Sequence, residues 1–550
     1  MQQDRRKRAR RVRESAARFA FDQPHPEQLD NGDEERFPTR IASYTKGLPH
    51  NAQGEVDGAA YDALLTAIES TEPGDFEAIP LGDPASCPSG RGRRLVNPQS
   101  GLAFDLEGPD AQALTIPPAP RFDSAQEGAE MAEVYWMALL RDVHFSDYAT
   151  DATVAEAASD LSLMSDFRGP KEGGQVTPAV LFRGFTPGDL AGPYVSQFLL
   201  RDFNYGTLRV SQRQQTAKPG VDYVVDPEEW LRIQNGCDPG IARIDQLEVD
   251  GDGNPIMRYA RNARDLATYV HFDALYEAYL NACLILLDSP PAEDPQGMTA
   301  PFDPGNPYVA SRNQDGFGTF GPPHVLSLVC EVATRALKAV WWQKWGVHRR
   351  LRPEEFGGRV QAVRSRSADY PIDPELLESP VLDRVESQFG SYLLPLAFPE
   401  GSPVHPAYGA GHATVAGACV TVLKAWFDES TRIADLFPPV TANEAGDGLD
   451  EYTGADAGEL TVGGELDKVA ANVSIGRNMA GVHWRSDYTE SVRLGERLAI
   501  QILQEQANTY NEDFAFTLTT FDGDPVVIDR SSGRDRGGRF EREEEAPAPT

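Results

Sequence analysis

The sequence predicts a mainly α-helical fold with few short strands. Its 550 residues, 40% of them hydrophobic, suffice for a sizeable core. Strand-like runs are limited to 207–211 and 222–225. Nine segments have apolar residues every three or four positions, the period of an amphipathic helix: 125–142, 149–163, 191–202, 260–287, 322–346, 375–390, 411–428, 465–479 and 485–508. Helices of this length are typical of bundles.

In chain order, residues 1–45 are polar and charged and are predicted to form an N-terminal arm. Residues 46–320 are expected to form an N-terminal helical half with wrapping loops, because Pro, Gly and Asp are frequent in its first part. Residues 321–510 are expected to form a C-terminal helical half, in which the acidic, Gly-rich segment 440–464 connects two helices. Residues 511–550 are an extension that ends in a predicted disordered tail.

The charge balance excludes one class of partner. There are 84 acidic and 51 basic residues, which gives a formal charge of −33, and only eight of the basic residues are lysines. Nucleic-acid binding requires a basic face, so no nucleic-acid partner is expected. The acidic residues are interpreted as a solvated surface, and the scarcity of lysine adds the hypothesis of a salt-rich environment.

Two further predictions concern the cysteines and the N-terminus. Cys87, Cys237, Cys283, Cys330 and Cys419 are odd in number and scattered without a CxxC pair, so free, mostly buried thiols are predicted. The basic start MQQDRRKRARRVRESAARFA is not followed by the apolar stretch of a secretory signal, and no run of about 18 apolar residues occurs. The expectation is a soluble, cytoplasmic protein with no membrane span.

The first cluster of functional interest ends a strongly apolar helix. Lys344 lies at the end of VLSLVCEVATRALKAVWWQKWGVHRRLRPEEF, and Arg352 follows eight residues later. Pro353 disfavours the helical conformation at Arg352, so this side chain is free to turn back across the helix end. Taken alone, the two cations are explained as partners of the helix dipole.

The second cluster is the segment SPVHPAYGAGHATVAG, which begins at Ser402. It contains His405 and His412, and the turn 409–411 precedes a run of small residues typical of a closely packed helix. A glycine turn before a helix exposes backbone N–H groups at the positive helix end, which together bind anions. Taken alone, His412 is explained as a hydrogen-bonded structural histidine.

The third cluster is SIGRNMAGVHWRSDYTES. Arg477 precedes His483 by six positions, and Asp487 follows His483 at the i+4 position of a predicted helix. This spacing allows the carboxylate to fix the tautomer and the orientation of the imidazole. Taken alone, the segment is explained as a solvated helix start.

Together the three clusters predict a pocket for a tetrahedral, multiply charged oxyanion. Arginine supplies planar paired donors and lysine a compact charge. One histidine can bond to the central atom while another acts as acid or base. A zinc site built from His405, His412 and His483 is disfavoured, because the surrounding cations would repel a metal cation.

The motifs K-x7-R-P, P-x-Y-x-x-G-H and R-x5-H-x3-D resemble the signature of the vanadium-dependent haloperoxidase and type 2 acid phosphatase superfamily. Within it the chain is most similar to algal-type vanadium bromoperoxidases, because seven residues separate Lys344 from Arg352 and His405 precedes His412 by seven. The sequence similarity to these proteins covers most of residues 45–510. The resemblance implies a vanadium haloperoxidase-like fold built around two helical bundles.

Carried over residue by residue, the resemblance also implies a vanadate site. His483 would bond the vanadium, and His412 would be the acid-base partner. His405 would take the halide side and Trp341 would lie beside the site. The equatorial oxygens would be held by Lys344, Arg352, Arg477 and the Gly411 amide.

One position departs from the resemblance. Ala410 stands where these proteins usually have a serine before the Gly-His pair, which removes a hydroxyl that would donate to a vanadate oxygen. Loss of such a bond costs about 1–3 kcal/mol, so weaker oxyanion binding and a changed halide preference are expected.

The function implied by the resemblance is oxidation of bromide or iodide by hydrogen peroxide, with vanadate as Lewis acid and Lys344 polarising the bound peroxide. The hypohalous equivalent would halogenate small organic substrates, and the protein would be a homo-oligomer. The alternative is an acid phosphatase in which His483 attacks phosphorus and His412 protonates the leaving group. A third hypothesis, disfavoured because the cationic and histidine residues are intact, is an anion-binding protein without turnover.

Overall fold

The structure is a computed structural model that describes residues 2–288 and 299–531, so most of the predicted C-terminal tail lies outside the described residues. The mainly α class is confirmed. Helices of eight or more residues in the described ranges are α1 Gln2–Asp22, α2 Gly58–Ser70, α3 Ala125–Leu139, α4 Ala152–Leu163, α5 Pro227–Gln234, α6 Ala263–Phe272, α7 Glu277–Leu287, α8 Pro322–Trp341, α9 Pro353–Arg364, α10 Pro380–Phe389, α11 Gly411–Trp426, α12 Val462–Met479 and α13 Arg485–Gln506.

The remaining elements are short. The shorter α-helices are Asp33–Arg36, Pro73–Glu77, Pro187–Leu190, Arg243–Gln246, Pro374–Leu377 and Ile433–Leu436. Four antiparallel two-stranded ribbons are formed by β1 Phe203–Tyr205 with β2 Leu208–Val210, β3 Gln214–Gln215 with β4 Met257–Arg258, β5 Val440–Ala442 with β6 Leu449–Glu451, and β7 Ala515–Thr519 with β8 Pro525–Asp529. The polar N-terminal arm therefore contains a helix, α1, and the segment 440–464 contains a ribbon.

Helix α11 forms the centre of the core and packs against α8, α12 and α13. Small residues allow α11 and α13 to approach closely: a Cβ atom at Gly417 would lie 2.0 Å from the Val492 carbonyl oxygen, and one at Gly495 would lie 2.0 Å from that of Thr414. The run of small residues after His412 thus positions the start of α11 against its neighbours.

Three predicted helices are interrupted, and one of them, 375–390, divides into the short helix Pro374–Leu377 and α10. The periodic segment 260–287 forms α6 and α7, which are bent by 100° at the break. No single helix among the described residues is long and apolar enough to cross a membrane. The two helices of this bent pair reach the necessary length and apolar composition only when they are taken together. The segment 322–346 ends its α-helix at Trp341 and continues as a π-helical segment, Trp342–His348, which contains Lys344.

The helix predicted at 191–202 is wrong, since only the 3-10 turn Gln197–Leu199 forms there. The backbone N–H groups of Ser196 and Gln197 donate to Asn472 Oδ1 and Glu465 Oε2, both at 2.8 Å. These side chains of α12 replace the carbonyl acceptors that a helix would supply. The strand predicted at 222–225 is also wrong, because only Tyr223 pairs there, with Leu396.

The prediction of free thiols is wrong for one pair, because Cys87 and Cys237 form a disulfide. Their Cα atoms lie 5.4 Å apart although 150 positions separate them in sequence. Gly92 pairs with Cys237 in an antiparallel bridge, which brings the two segments together. Such a contact leaves no signature in local cysteine spacing. Cys283, Cys330 and Cys419 are free.

His348 makes the stability of the fold depend on pH. Its ring is buried with neither nitrogen hydrogen-bonded, and burial, followed by the charges of Arg349 and Arg350, lowers its pKa to about 3. Between about pH 6.5 and pH 3 only the unfolded chain binds a proton on this ring. The contribution of neutral His348 to the free energy of unfolding is therefore complete above about pH 6.5 and is lost as pH falls towards 3. Between pH 7 and 5 we expect a loss of roughly 2 kcal/mol from this residue.

Urea unfolding of wild type and His348→Met at pH 7 and pH 5 checks this expectation. The substitution removes the titrating group at similar volume. The difference between the two pH values is expected to be smaller in the variant by roughly 2 kcal/mol. An unchanged difference would show that His348 becomes protonated in the folded protein.

Candidate active site

Lys344 is fully buried in the π-helical segment after α8. Its Nζ atom donates to the carbonyl oxygens of Pro406 at 2.7 Å and Ala407 at 2.9 Å. Burial lowers the pKa of Lys344 well below its usual value, and the charge of Arg352 contributes to the shift. An ammonium group has three donors, so one N–H remains for another acceptor.

Arg352 has the extended conformation predicted from Pro353, with φ −85° and ψ 156°, and it precedes α9. Its Nε donates to the His405 carbonyl oxygen at 2.9 Å, and its Nη2 to His405 Nδ1 at 2.9 Å. Its Nη1 donates to the carbonyl oxygen of Val482 at 2.6 Å and to His483 Nε2 at 2.9 Å. Burial lowers its pKa to about 10, so it remains a cation at neutral pH.

His483 lies buried between Arg352 and Asp487. Its Nδ1 lies 2.6 Å from Asp487 Oδ2, the contact expected from the i+4 spacing. Because Nε2 accepts from Arg352, the hydrogen-bond network assigns the proton to Nδ1 and a lone pair to Nε2. Burial, followed by the charges of Arg352 and Lys344, lowers the pKa of His483 well below its usual value. The ring is therefore neutral, which is the form that binds metals.

Arg477 lies near the end of α12 and is buried. Its Nη1 donates to the Val270 carbonyl oxygen at 2.7 Å, whereas its buried Nε has no hydrogen-bond partner. Burial lowers the pKa of Arg477 to about 10 against the opposing effect of Asp273. A buried N–H without a partner is costly and needs an acceptor from a ligand or water.

Helix α11 begins at Gly411, as the glycine turn predicted. A Cβ at Gly411 would lie 3.1 Å from the ring of Trp341, so glycine lets the helix start approach this ring. Ala410 precedes the helix with extended backbone, and its N–H donates to Ser491 Oγ at 2.7 Å. The helix start thus has a fixed position beside the cavity.

His412 is partly exposed, and its Nε2 lies 3.2 Å from Asp273 Oδ1. Asp273 follows α6, in the turn before α7. Burial raises the pKa of Asp273, but the nearby His412 and Arg477 outweigh it and the net shift is downward. The sequence reasoning missed Asp273, because its contact with His412 joins residues 139 positions apart.

A cavity of about 350 Å³ is lined by residues of the second and third clusters, whereas Lys344 and Arg352 do not line it. Arg352 adjoins the cavity through its hydrogen bonds to His405 and His483. Trp341 lies beside it, with its ring centroid 4.9 Å from that of His405, and its Nε1 donates to the Val96 carbonyl oxygen at 3.1 Å. The N-terminal half supplies part of the wall through Val96, Asn97, Ser100 and Leu275. The cavity is lined by Val96, Asn97, Ser100, Leu275, Leu337, Trp341, Pro403, His405, Gly411, His412, Arg477 and His483.

Two cations of the N-terminal half hold the segment that leads to His405. Lys46 Nζ donates to the carbonyl oxygens of Glu400 at 3.0 Å and Ser402 at 2.7 Å. Arg93 Nη1 donates to the same two oxygens at 2.9 and 3.0 Å. These contacts fix the backbone that leads to His405, although this segment forms no helix or strand.

Asp487 belongs to a buried network that sequence reasoning also missed. Its Oδ1 accepts from Arg350 Nη1 at 2.9 Å, and Arg350 Nη2 donates to Glu127 and, at 3.3 Å, to Glu130. Burial raises the pKa of Glu127 to about 8, although Arg350 opposes the shift. The sequence feature that could have indicated this network is the set of acidic residues in the apolar helical segment AQEGAEMAEVYW, since buried acids require partners.

The donor set fits an anion. Lys344, Arg352 and Arg477 are buried, and within residues 2–288 and 299–531 no carboxylate forms an ion pair with any of them. By contrast, buried Lys46 pairs with Glu354, and buried Arg350 pairs with Asp487. Unpaired buried charges are strongly unfavourable, which lowers the pKa of all three groups, and a multiply charged anionic ligand would balance their charge. The arrangement fits vanadate or phosphate and does not fit a metal cation.

Comparison with known proteins shows the family of this chain. A family model for the VCPO second helical-bundle domain matches residues 333–512. The chain is 40% identical to the vanadium-dependent bromoperoxidase of Corallina officinalis over 92% of this chain and 92% of that protein. The chain belongs to the vanadium-dependent bromoperoxidase family. Its identity to the vanadium-dependent bromoperoxidase of Ascophyllum nodosum is 37%, over 91% of this chain and 88% of that protein.

A solved structure of the bromoperoxidase family has the same fold. It is the homohexameric structure of the second vanadate-dependent bromoperoxidase from Ascophyllum nodosum, with a TM-score of 0.85 and 32% identity over 95% of this chain and 90% of that chain. In this bromoperoxidase-family chain Ala410 lies at the start of α11, directly before the Gly411 amide.

Proposed function

We propose that Lys344, Arg352 and Arg477 hold vanadate in the cavity, where hydrogen peroxide oxidises bromide or iodide. The protein is a vanadium-dependent haloperoxidase by family, and vanadate is its cofactor. The observation that carries the assignment of the site is the set of three buried cations without carboxylate partners. The neutral His483 ring, with its lone pair on Nε2, supports the same assignment.

In this proposal each residue has a defined task. Bound vanadate supplies a Lewis-acid centre that activates peroxide without changing its own oxidation state. His483 Nε2 would bond the vanadium in place of its hydrogen bond from Arg352, while Asp487 fixes the ring through Nδ1. Arg352, Arg477 and the Gly411 amide neutralise the oxyanion. Lys344 would direct its remaining N–H donor, and its positive charge, at a vanadate oxygen.

His412 is the proposed acid-base residue. Asp273 contacts Nε2 and orients the ring, which leaves Nδ1 to accept or donate a proton in the cavity. Partial exposure of His412 gives this proton a route to solvent. His405 and Trp341 form the proposed halide side, since both line the cavity and Lys344 Nζ lies 5.5 Å from the Trp341 ring centroid.

The two halves of the chain contribute different parts of the proposed site. Residues 321–510 carry the cations of the site, while residues 46–320 supply part of the wall, through the segment 96–100, and the turn at Asp273.

The protein forms a homo-oligomer that takes peroxide, halide and small organic molecules as substrates. The homohexameric relative supports this assembly.

Activity with and without vanadate tests the proposed function. Vanadate-free protein is expected to show no peroxide-dependent bromination, and added vanadate should restore it to saturation. Phosphate is expected to compete, because both anions meet the same donors. Hydrolysis of a phosphate monoester is measured on the same preparation. Phosphatase turnover without halide oxidation would overturn the proposal.

Substitution of Ala410 by serine is expected to tighten vanadate binding. Its hydroxyl would add one donor beside the Gly411 amide, worth about 1.5–3 kcal/mol at most, which is roughly 10- to 150-fold at most in Kd. The same oxygen can accept from the first turn of α11, which adds about 1 kcal/mol of stability. Vanadate titration of both apo proteins measures the first effect and thermal unfolding the second. Equal or weaker vanadate binding by Ala410→Ser would show that another group already fills this role.

A further inference from the structure

A second cavity adjoins the candidate active site through Asp273. Its volume is about 570 Å³, which is within the range of small-molecule sites. Strand β3, the short helix Arg243–Gln246 and the end of α6 form its walls. Asp273 lines this cleft and contacts His412, which lines the vanadate cavity. The reaction proposed above assigns no role to the cleft.

Two arginines give one part of the cleft a positive charge. Arg243 Nη2 donates to Gln215 Oε1 at 2.8 Å, and its guanidinium carbon lies 3.9 Å from the centroid of the Phe272 ring. Arg213 Nε lies 3.5 Å from Ser211 Oγ. Neither arginine forms an ion pair with a carboxylate in the described part of the chain. In a chain of net charge −33, two such arginines are suited to an anionic group.

Two residues of the cleft have oxygens without partners. Gln214 Nε2 donates to the Asp265 carbonyl oxygen at 2.6 Å, whereas Gln214 Oε1 is buried with no donor. The Tyr269 hydroxyl is likewise buried without a partner. Burial, followed by Glu277 and Asp273, raises the pKa of Tyr269 well above its usual value, so it stays a hydroxyl. Such groups need a polar ligand atom or water.

The remaining surface of the cleft is apolar or acidic. Leu247, Ile244 and Met257 line it, and the last two are exposed, which suits the faces of an aromatic ring. Asp273 and Glu277 line the part near Tyr269. Their charges would direct a carboxylate away from Tyr269 and towards the arginines.

We propose that this cleft binds a hydroxyaryl carboxylate, with its carboxylate at Arg213 and Arg243 and its hydroxyl at Tyr269 and Gln214. The further assignment of this molecule as the halogen acceptor rests on the proposed function. Electron-rich rings react with hypobromous acid: a ring carbon bonds to bromine, and the Br–O bond breaks with its electron pair going to oxygen. The displaced ring proton joins the hydroxide to give water.

Calorimetric titration of the vanadate-free full chain tests binding independently of turnover. The probes are 3-(4-hydroxyphenyl)propanoate and its primary amide, which differ in charge but little in shape. The carboxylate is expected to bind about tenfold tighter or more, the worth of a charge-assisted hydrogen bond. The double variant Arg213→Gln/Arg243→Gln is expected to lose this preference. Arg209→Gln, an exposed arginine of β2, is the matched control and should retain it.

Equal binding of the two probes by wild type, or an unchanged preference in the double variant with a native melting curve, would overturn the cleft assignment. Competition of both probes for bromination by the vanadate-loaded enzyme tests the acceptor assignment. The carboxylate should be brominated preferentially by wild type and less so by the double variant. If iodide is oxidised but the probes are brominated without preference, the acceptor assignment fails. If no halide is oxidised, the proposed function fails, and the titration alone decides the cleft.

Discussion

Replacement of His483 by alanine is expected to abolish vanadate binding and halide oxidation while the helical fold is retained. The imidazole is neutral, Asp487 fixes its orientation through Nδ1, and the Nε2 lone pair that accepts from Arg352 would be given to the vanadium. Loss of groups that orient a metal ligand typically costs 10–100-fold in affinity, so removal of the ligand itself should cost at least about 100-fold. Equilibrium dialysis with vanadate and peroxide-dependent bromination measure the two effects.

His324→Ala is the matched control, because His324 lies in the first turn of α8 against Tyr510 and does not line the cavity. It should bind vanadate as wild type does. Circular dichroism and the melting temperature show whether His483→Ala has kept the fold. Wild-type vanadate affinity in a folded His483→Ala protein would remove the proposed bond and with it the mechanism.

Replacement of Arg350 by methionine is expected to destabilise the protein by about 3–5 kcal/mol, because it leaves buried carboxylates without their cation. Glu127 and Asp487 both contact this guanidinium and are fully buried. Without Arg350 their pKa values should rise, so the folded state would hold protons that the unfolded state releases. Stability is then lost as pH rises above the unfolded value, and the deficit should be larger at pH 8 than at pH 6.

Urea unfolding at the two pH values measures this deficit. Adding Glu127→Gln to Arg350→Met removes one of the stranded carboxyl groups and should recover part of the loss, more at pH 8 than at pH 6. Vanadate affinity of Arg350→Met should fall as well, since Asp487 would no longer be held against His483. A loss below about 1 kcal/mol at both pH values would show that water compensates these carboxylates.

Several parts of the site could be predicted from sequence because local chemistry determines them. Pro353 excludes the helical conformation at Arg352, and the structure has the extended backbone that follows. Gly411 begins a helix, and the i+4 spacing places Asp487 at hydrogen-bond distance from His483. Each of these features depends on a few neighbouring residues. Local propensity and helix geometry therefore suffice to predict it.

Other features could not be predicted, because they depend on contacts between distant segments. The pattern at 260–287 is periodic throughout, yet the chain turns by 100° between α6 and α7. Asp273 lies in that turn and reaches His412 only because of it. Periodicity reports which face is apolar, but it does not report where a helix must break to pack.

The sequence by itself determined the mainly α class and the three cationic and histidine clusters, because each is written in residue type and local spacing. Only the tertiary structure decided that the segment 96–100 forms part of the wall, that Arg350 sustains Asp487, and that Cys87 pairs with Cys237. The physical reason is that these contacts are made by chain segments more than a hundred positions apart. Their free energy comes from burial and charge pairing in the folded core, which no local pattern encodes.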